Sequence, residues 1–219
     1  MPARLCRSVI AFAAILGATT TAAAQTYTFE RTFPAGSVAR LEISTHRGHI
    51  TVTASDDGET VVSANVTVRT GFNMPLNGGQ IASGVAAHPP IQSRGLSVQI
   101  GPPSDPLADR AVTIDYDIKV PPPTTIVAVT DSGAVTIKGL AGAVSVHTQS
   151  GTIDATPAAS LAATLDATSA SGAIDVDAGL VDGAVEKGRV RGTIHGGGAA
   201  WQLVTKTGAI RLHAPTPPA

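Results

Sequence analysis

The stretch "TQSGTIDA", residues 148–155, places Gly151 between two short runs of alternating small and apolar residues, and it decides how the rest of the chain is read. The same pattern recurs around Gly48, Gly133, Gly172, Gly192 and Gly208. Two places after the six glycines stand Ile50, Val135, Ile153, Ile174, Ile194 and Ile210. Seven places before them stand Leu41, Ile126, Val144, Leu165, Val185 and Trp201, and three before stand Thr45, Thr130, Thr148, Ser169, Arg189 and Thr205. Alternation of period two on both sides of the glycine predicts two short strands joined at a corner. The inward positions are odd offsets before the glycine and even offsets after it, so the corner absorbs one residue. Glycine suits such a corner because it adopts φ > 0 without a Cβ clash.

The last five glycines lie 18, 21, 20 and 16 residues apart. Repeats of this length predict stacked coils, each leaving a strand edge for the next. The expectation is therefore an all-β, single-domain short β-solenoid with coils of about 16–21 residues, stacked in chain order. A β-sandwich of hairpins gives the same period-two strands and stays open as the alternative.

The front half is less regular. "ETVVSANVTVRT" and "RAVTIDYDIKV" predict two longer strands. Between them residues 71–106 form a Gly-, Pro- and Asn-rich insertion in which only "LSVQI" alternates. This segment is expected to be loop, with Phe72, Met74 and Ile91 lacking an evident core partner, and it reads either as a disordered surface loop or as a recognition loop.

Residues 1–24 have the form of a signal peptide: Arg4 and Arg7, an apolar run from Val9 to Ala18, then Ala22-Ala23-Ala24 before Gln25. The domain then spans 25–213, with a frayed tail at 214–219. Export to the periplasm or cell surface follows. The apolar run is shorter than the roughly 20 residues that span a bilayer, so no transmembrane segment is expected in the mature chain. The only cysteine, Cys6, lies in the part removed, which excludes disulfides, thiolate metal sites and a cysteine nucleophile. Setting aside Arg4 and Arg7 leaves 13 basic against 16 acidic side chains, a net charge of −3 with no basic patch for nucleic acid.

"DYDIKVPPPTTIVAVTDSGAVTIKGLAGAVSVHTQSGTIDA", residues 115–155, resembles the bacterial DUF4097 family. Asp115, Tyr116, Ile118, Val120 and Pro121 carry the first family element; Ser132-Gly133, Leu140, Gly142, Ser150-Gly151 and Ser171-Gly172 carry the repeats. The chain departs from the pattern at Lys187 and Arg191-Gly192, where charge enters an apolar column. The resemblance implies a β-helix-like protein outside the cytoplasm, of a family labelled adhesins from fold likeness, and it transfers no catalytic motif.

Candidate chemistry is sparse. Three places after the glycines stand Thr51, Thr136, Asp154, Asp175, His195 and Arg211, so chain-order stacking predicts an outward ladder of Asp154, Asp175 and His195. Two carboxylates beside an imidazole suit a cation or acid–base work, and they equally suit charge balance with Arg211. His46 and His49 flank Gly48 without a third ligand nearby in sequence. No nucleophile elbow, phosphate loop or dinucleotide fingerprint occurs. The expectation is an exported, non-catalytic envelope or surface module without cofactor or metal, contacting an envelope glycan or protein. A polysaccharide-active β-helix enzyme and a purely structural envelope protein are the alternatives.

Overall fold

The computed structural model describes residues 25–71, 74–177 and 179–214. In chain order the front half runs β1 (Thr26–Phe33), β2 (Arg40–Arg47), β3 (Ile50–Ala54), β4 (Thr60–Val68), α1 (Gly78–Ala87), β5 (Ile91–Arg94), β6 (Ser97–Ile100), α2 (Pro106–Ala111) and β7 (Val112–Val120). The back half contains β8 (Thr125–Ser132), β9 (Val135–Lys138), β10 (Val144–Ser150), β11 (Ile153–Thr156), β12 (Ala163–Ser171) and β13 (Ile174–Val176). It ends with β14 (Val181–Glu186), β15 (Arg189–Ile194), β16 (Ala199–Thr207) and β17 (Ile210–Leu212). The signal-peptide stretch, Phe72 and the tail from 215 lie outside the described residues.

The fold is all-β, as expected: two mixed sheets and no closed barrel. One sheet is ordered β1-β4-β7-β3-β9-β11-β17-β13, the other β14-β15-β12-β16-β10-β8-β2-β6-β5. Five glycine corners each carry the chain from the second sheet to the first, joining β2 to β3, β8 to β9, β10 to β11, β12 to β13 and β16 to β17. These five two-strand rungs pair in parallel in both sheets, so residues at equal offsets from the glycine become direct neighbours. Leu41, Ile126, Val144, Trp201 and Leu165 are successive partners across one sheet. Ile50, Val135, Ile153, Ile210 and Ile174 are successive partners across the other. All but Ile174 are fully or nearly fully buried in one core shared by the two sheets. At roughly 1.5–3 kcal/mol for each large aliphatic side chain buried, these columns dominate the stability of the stack.

The rungs do not stack in chain order. The last rung, β16–β17, lies between β10–β11 and β12–β13, so the rung of Gly208 separates those of Gly151 and Gly172. The repeat defines what a rung is but not its neighbour, because every rung offers the same parallel edges.

Gly192 is a second correction: it lies inside β15, opposite Leu165 in an antiparallel pairing with β12, and is no corner. With no corner to absorb a residue, the parity does not change there. Val190, Gly192 and Ile194 share the inward face, while Val185 is 78% exposed. The hairpin turns instead at Lys187-Gly188, where Gly188 has φ 77°. Arg189 and Arg191 point to the outer face and meet Asp166 there.

The insertion is folded rather than looped. The alternating "LSVQI" becomes β6, which pairs in parallel with β2 and extends the inward columns by Val98 and Ile100. Gly78, Ala82 and Val85 form the buried stripe of α1, and Ile91 packs against the core. No helix among the described residues is long and apolar enough to cross a membrane.

Candidate functional site

The corner glycines form a continuous row: Gly48, Gly133, Gly151, Gly208, Gly172. A Cβ on Gly133 would collide with the carbonyl oxygen of Gly48, one on Gly151 with that of Gly133, one on Gly208 with that of Gly151, and one on Gly172 with that of Gly208. Left-handed φ is not the common requirement, since Gly48, Gly133 and Gly208 have φ of 106°, 144° and 152° whereas Gly151 and Gly172 are not in that region. The shared requirement is close approach of backbones between rungs. Beside this row runs a buried hydroxyl row of Thr45, Thr130, Thr148, Thr205 and Ser169. Ser169 Oγ donates to Gly208 O at 2.9 Å and Thr205 Oγ1 to Gly151 O at 3.2 Å, tying one rung to the next. These rows are scaffold.

The expected ladder of Asp154, Asp175 and His195 is not assembled. Asp154 and Asp175 are each a direct partner of Arg211, which stands between them. The outer row of that sheet reads Asp175, Arg211, Asp154, Thr136, Thr51, Asp117, so opposite charges alternate at its end. His195 follows β15 with φ 49° and sets Nδ1 2.9 Å from Leu161 O, in a different part of the fold. The imidazole beside Asp154 is that of His213, with Nε2 3.3 Å from the carboxylate. Two things break the ladder: the rung of Gly208 brings Arg211 into the place where chain-order stacking puts Asp175, and Gly192 is no corner, so β15 and His195 belong to the other sheet.

His46 and His49 do not converge either. His46 Nδ1 lies 2.9 Å from Asp109 Oδ1, and His49 Nδ1 lies 3.1 Å from Asp115 Oδ1, which also accepts the His49 backbone N–H at 2.8 Å. These pairs join residues 63 and 66 apart in sequence, and no spacing motif announces them. No group of three or more metal-ligating side chains forms a cation site among the described residues.

The most developed recess lies in the insertion. A cleft of about 680 Å³ opens between α1, the β5–β6 pair and residues 101–105. Its construction is local. Pro89-Pro90 stops α1, whose last turn closes with the His88 N–H on Gly84 O at 3.0 Å. Gly101 N–H donates to Pro90 O at 3.0 Å, which ties the first proline pair to the second, Pro102-Pro103. Asp105 then caps α2 by accepting the Leu107 N–H at 2.9 Å, with Pro106 in the first helical turn. The prolines lock φ along two walls, Ile81 and Val85 line a third, and Gln92 and Gln99 stand side by side as cross-strand partners. Gly84 and Gly101 line the cleft with open space where a Cβ would be. Gln92, Gln99, His88, Ser104 and Asp105 supply its polar lining beside the apolar Ile81 and Val85, which suits a ligand rich in hydroxyl or amide groups.

No family model matches the chain, and no curated relative does. Two solved structures are similar in part. A candidate cell adhesion protein from Clostridium sporogenes aligns over 87% of this chain and 100% of its own, at 9% identity and a TM-score of 0.48. A candidate adhesin from Bacteroides fragilis aligns over 85% of this chain and 97% of its own, at 13% identity and a TM-score of 0.26. Likeness at these values carries no functional weight, and the chain's own geometry has to supply the reading.

Proposed function

We propose that this chain is an exported, non-catalytic recognition module of the bacterial envelope, adhesin-like in the sense of the DUF4097 family that its repeats resemble. The two-sheet stack is read as a short, flattened solenoid, and the insertion cleft as the contact site for an envelope glycan. The observation that carries this reading is the cleft itself. Its volume of about 680 Å³ is that of a small-ligand site, and its proline walls and the neighbouring Gln92 and Gln99 rest on α1 and the β5–β6 pair. A pre-formed site of this kind loses little conformational freedom on binding. Glutamine side chains offer both donor and acceptor to sugar hydroxyls and acetamido groups without requiring charge.

The test is binding of peptidoglycan fragments and envelope polysaccharides by the wild-type protein and by Gly84→Phe and Gly101→Phe, which place a ring in the open space of the cleft. Saturable binding that falls at least tenfold in both filled variants, with an unchanged β circular-dichroism signal, supports the reading. Binding unaltered by filling contradicts the site. Slow release of cleaved sugar fragments contradicts the non-catalytic assignment and favours a polysaccharide-active enzyme.

A further inference from the structure

The last rung is the one element whose position disagrees with its place in the chain. β16 is paired in parallel on both edges, with β10 on one side and β12 on the other, and β17 lies likewise between β11 and β13. The chain therefore leaves a slot one strand wide between the rungs of Gly151 and Gly172, builds the β14–β15 hairpin, and only then returns to fill the slot. Ala163 at the start of β12 shows how it returns: it pairs with Ile194 of β15 on one edge and with Ala199 of β16 on the other. Residues 195–198 thus cross over the end of β12, from one of its edges to the opposite one.

This crossing is made by His195-Gly196-Gly197-Gly198, with φ of 49°, 84°, 86° and 158°. Four successive residues in left-handed backbone form a tightly turned tether, which glycine adopts freely and which also straightens freely. The turned tether spans two strand spacings, about 9.6 Å. Straightened, the five Cα steps from Ile194 to Ala199 reach roughly 17 Å, enough to carry β16 away from its own slot.

The slot is selective. It requires a glycine at the place of Gly208, because a Cβ there would collide with the Gly151 carbonyl. It also takes the only tryptophan of the chain, Trp201, whose indole Nε1–H donates to Gly142 O at 3.0 Å. A strand bearing a tryptophan, a threonine four residues on and a glycine three beyond that meets the hydrogen-bond and close-approach requirements, and Leu203, Ile210 and Leu212 complete the buried columns. Another copy of residues 199–212 has all of these. We infer that the last rung is exchangeable between copies of this chain, each molecule donating β16–β17 to the slot of a second one through a straightened 195–198 tether. Such an exchange preserves every contact of the slot and changes only the tether.

The experiment uses Ser145→Cys and Gln202→Cys, which are outward cross-strand partners, in a Cys6→Ser background so that the introduced thiols are the only ones. The double variant oxidised at low concentration is expected to close its disulfide within one chain, which establishes that the pair is competent. The two single variants are then mixed, unfolded together, refolded at high concentration and oxidised. A disulfide-linked heterodimer that increases with protein concentration is the expected result. Competent closure in the double variant, with only monomers from the mixture at every concentration, overturns the inference. A second variant deletes residues 196–198, leaving a tether of about 7 Å that cannot cross β12. Its expected folded form is a dimer, and a natively folded monomer overturns the inference independently.

Discussion

The α-carbon of Gly208 faces the carbonyl oxygen of Gly151, although the two lie 57 residues apart and another complete rung, that of Gly172, comes between them in the chain. This contact shows that rungs pair by shape rather than by sequence order, and it makes the glycine row sensitive to a single methyl group. Gly151→Ala is expected to lower stability by about 2–4 kcal/mol, because the added Cβ meets Gly133 backbone that cannot give way. Gly192→Ala meets only the Leu180 side chain, which can move, and should cost less than half as much. Urea unfolding of the two variants makes the comparison.

Much of a rung was legible in the residues. Glycine followed two places later by Ile or Val marks it, and the columns through Val144 and Ile153 follow from period two. Rung order was not legible, since Leu165 and Trp201 both suit the place beside Val144. Gly192 and Ile194 fit the corner pattern, while Lys187 and Arg189 depart from it; in the fold those residues belong to a hairpin whose Arg189 faces outward to Asp166. Glycines 78, 79 and 84 hid α1, whose three-residue step from Ala82 to Val85 was its only local sign. The carboxylates that meet His46 and His49 come from more than 60 residues away, beyond the reach of any spacing rule.

Trp201 lies on a central strand, 1% exposed, and its indole N–H is satisfied by Gly142 O. Trp201→Ala should cost about 3–5 kcal/mol, as for other fully buried aromatic truncations. Thermal and urea unfolding of the variant check this. A loss below 1 kcal/mol would mean that β16 is peripheral.

Tyr116 is buried with its hydroxyl lacking a hydrogen-bond partner among the described residues and its ring edge-on to Phe29, centroids 6.3 Å apart. Burial pushes the phenol well above its ordinary value, so the folded protein keeps the proton while the unfolded chain releases it near pH 10. The stability linked to this group is therefore complete below about pH 10 and is lost as the pH rises further. Tyr116→Phe removes an unsatisfied polar group and should gain about 1 kcal/mol at neutral pH. Unfolding measured from pH 7 to 11 should show a shallower alkaline decline in the variant than in the wild type.

Asp166 holds the outer hairpin to the stack through Arg189, whose Nε donates at 2.9 Å, with Arg191 adding a second positive charge. The Arg189 hydrogen bond keeps the carboxyl below its usual range, and both charges reinforce this. A depressed carboxyl stabilises the fold above its unfolded value, about pH 4, and that contribution disappears as the pH falls through the folded value. The pair is partly exposed, so the effect is modest and weakens with salt. Asp166→Asn should flatten the acid limb of the stability curve, and an unaltered limb contradicts the assignment.

Insertion of the last rung between the rungs of Gly151 and Gly172 makes disulfide closure within one chain depend on which strands are neighbours. Ser145, Asp166 and Gln202 occupy the same offset in the rungs of Gly151, Gly172 and Gly208, and Gln202 is the direct partner of both others. Ser145→Cys/Gln202→Cys should therefore oxidise readily within one chain. Ser145→Cys/Asp166→Cys should not, because two strand spacings of about 9.6 Å exceed the roughly 7 Å Cα separation that a disulfide tolerates. Closure of the 145–166 pair with failure of the 145–202 pair would restore chain-order stacking and contradict the account.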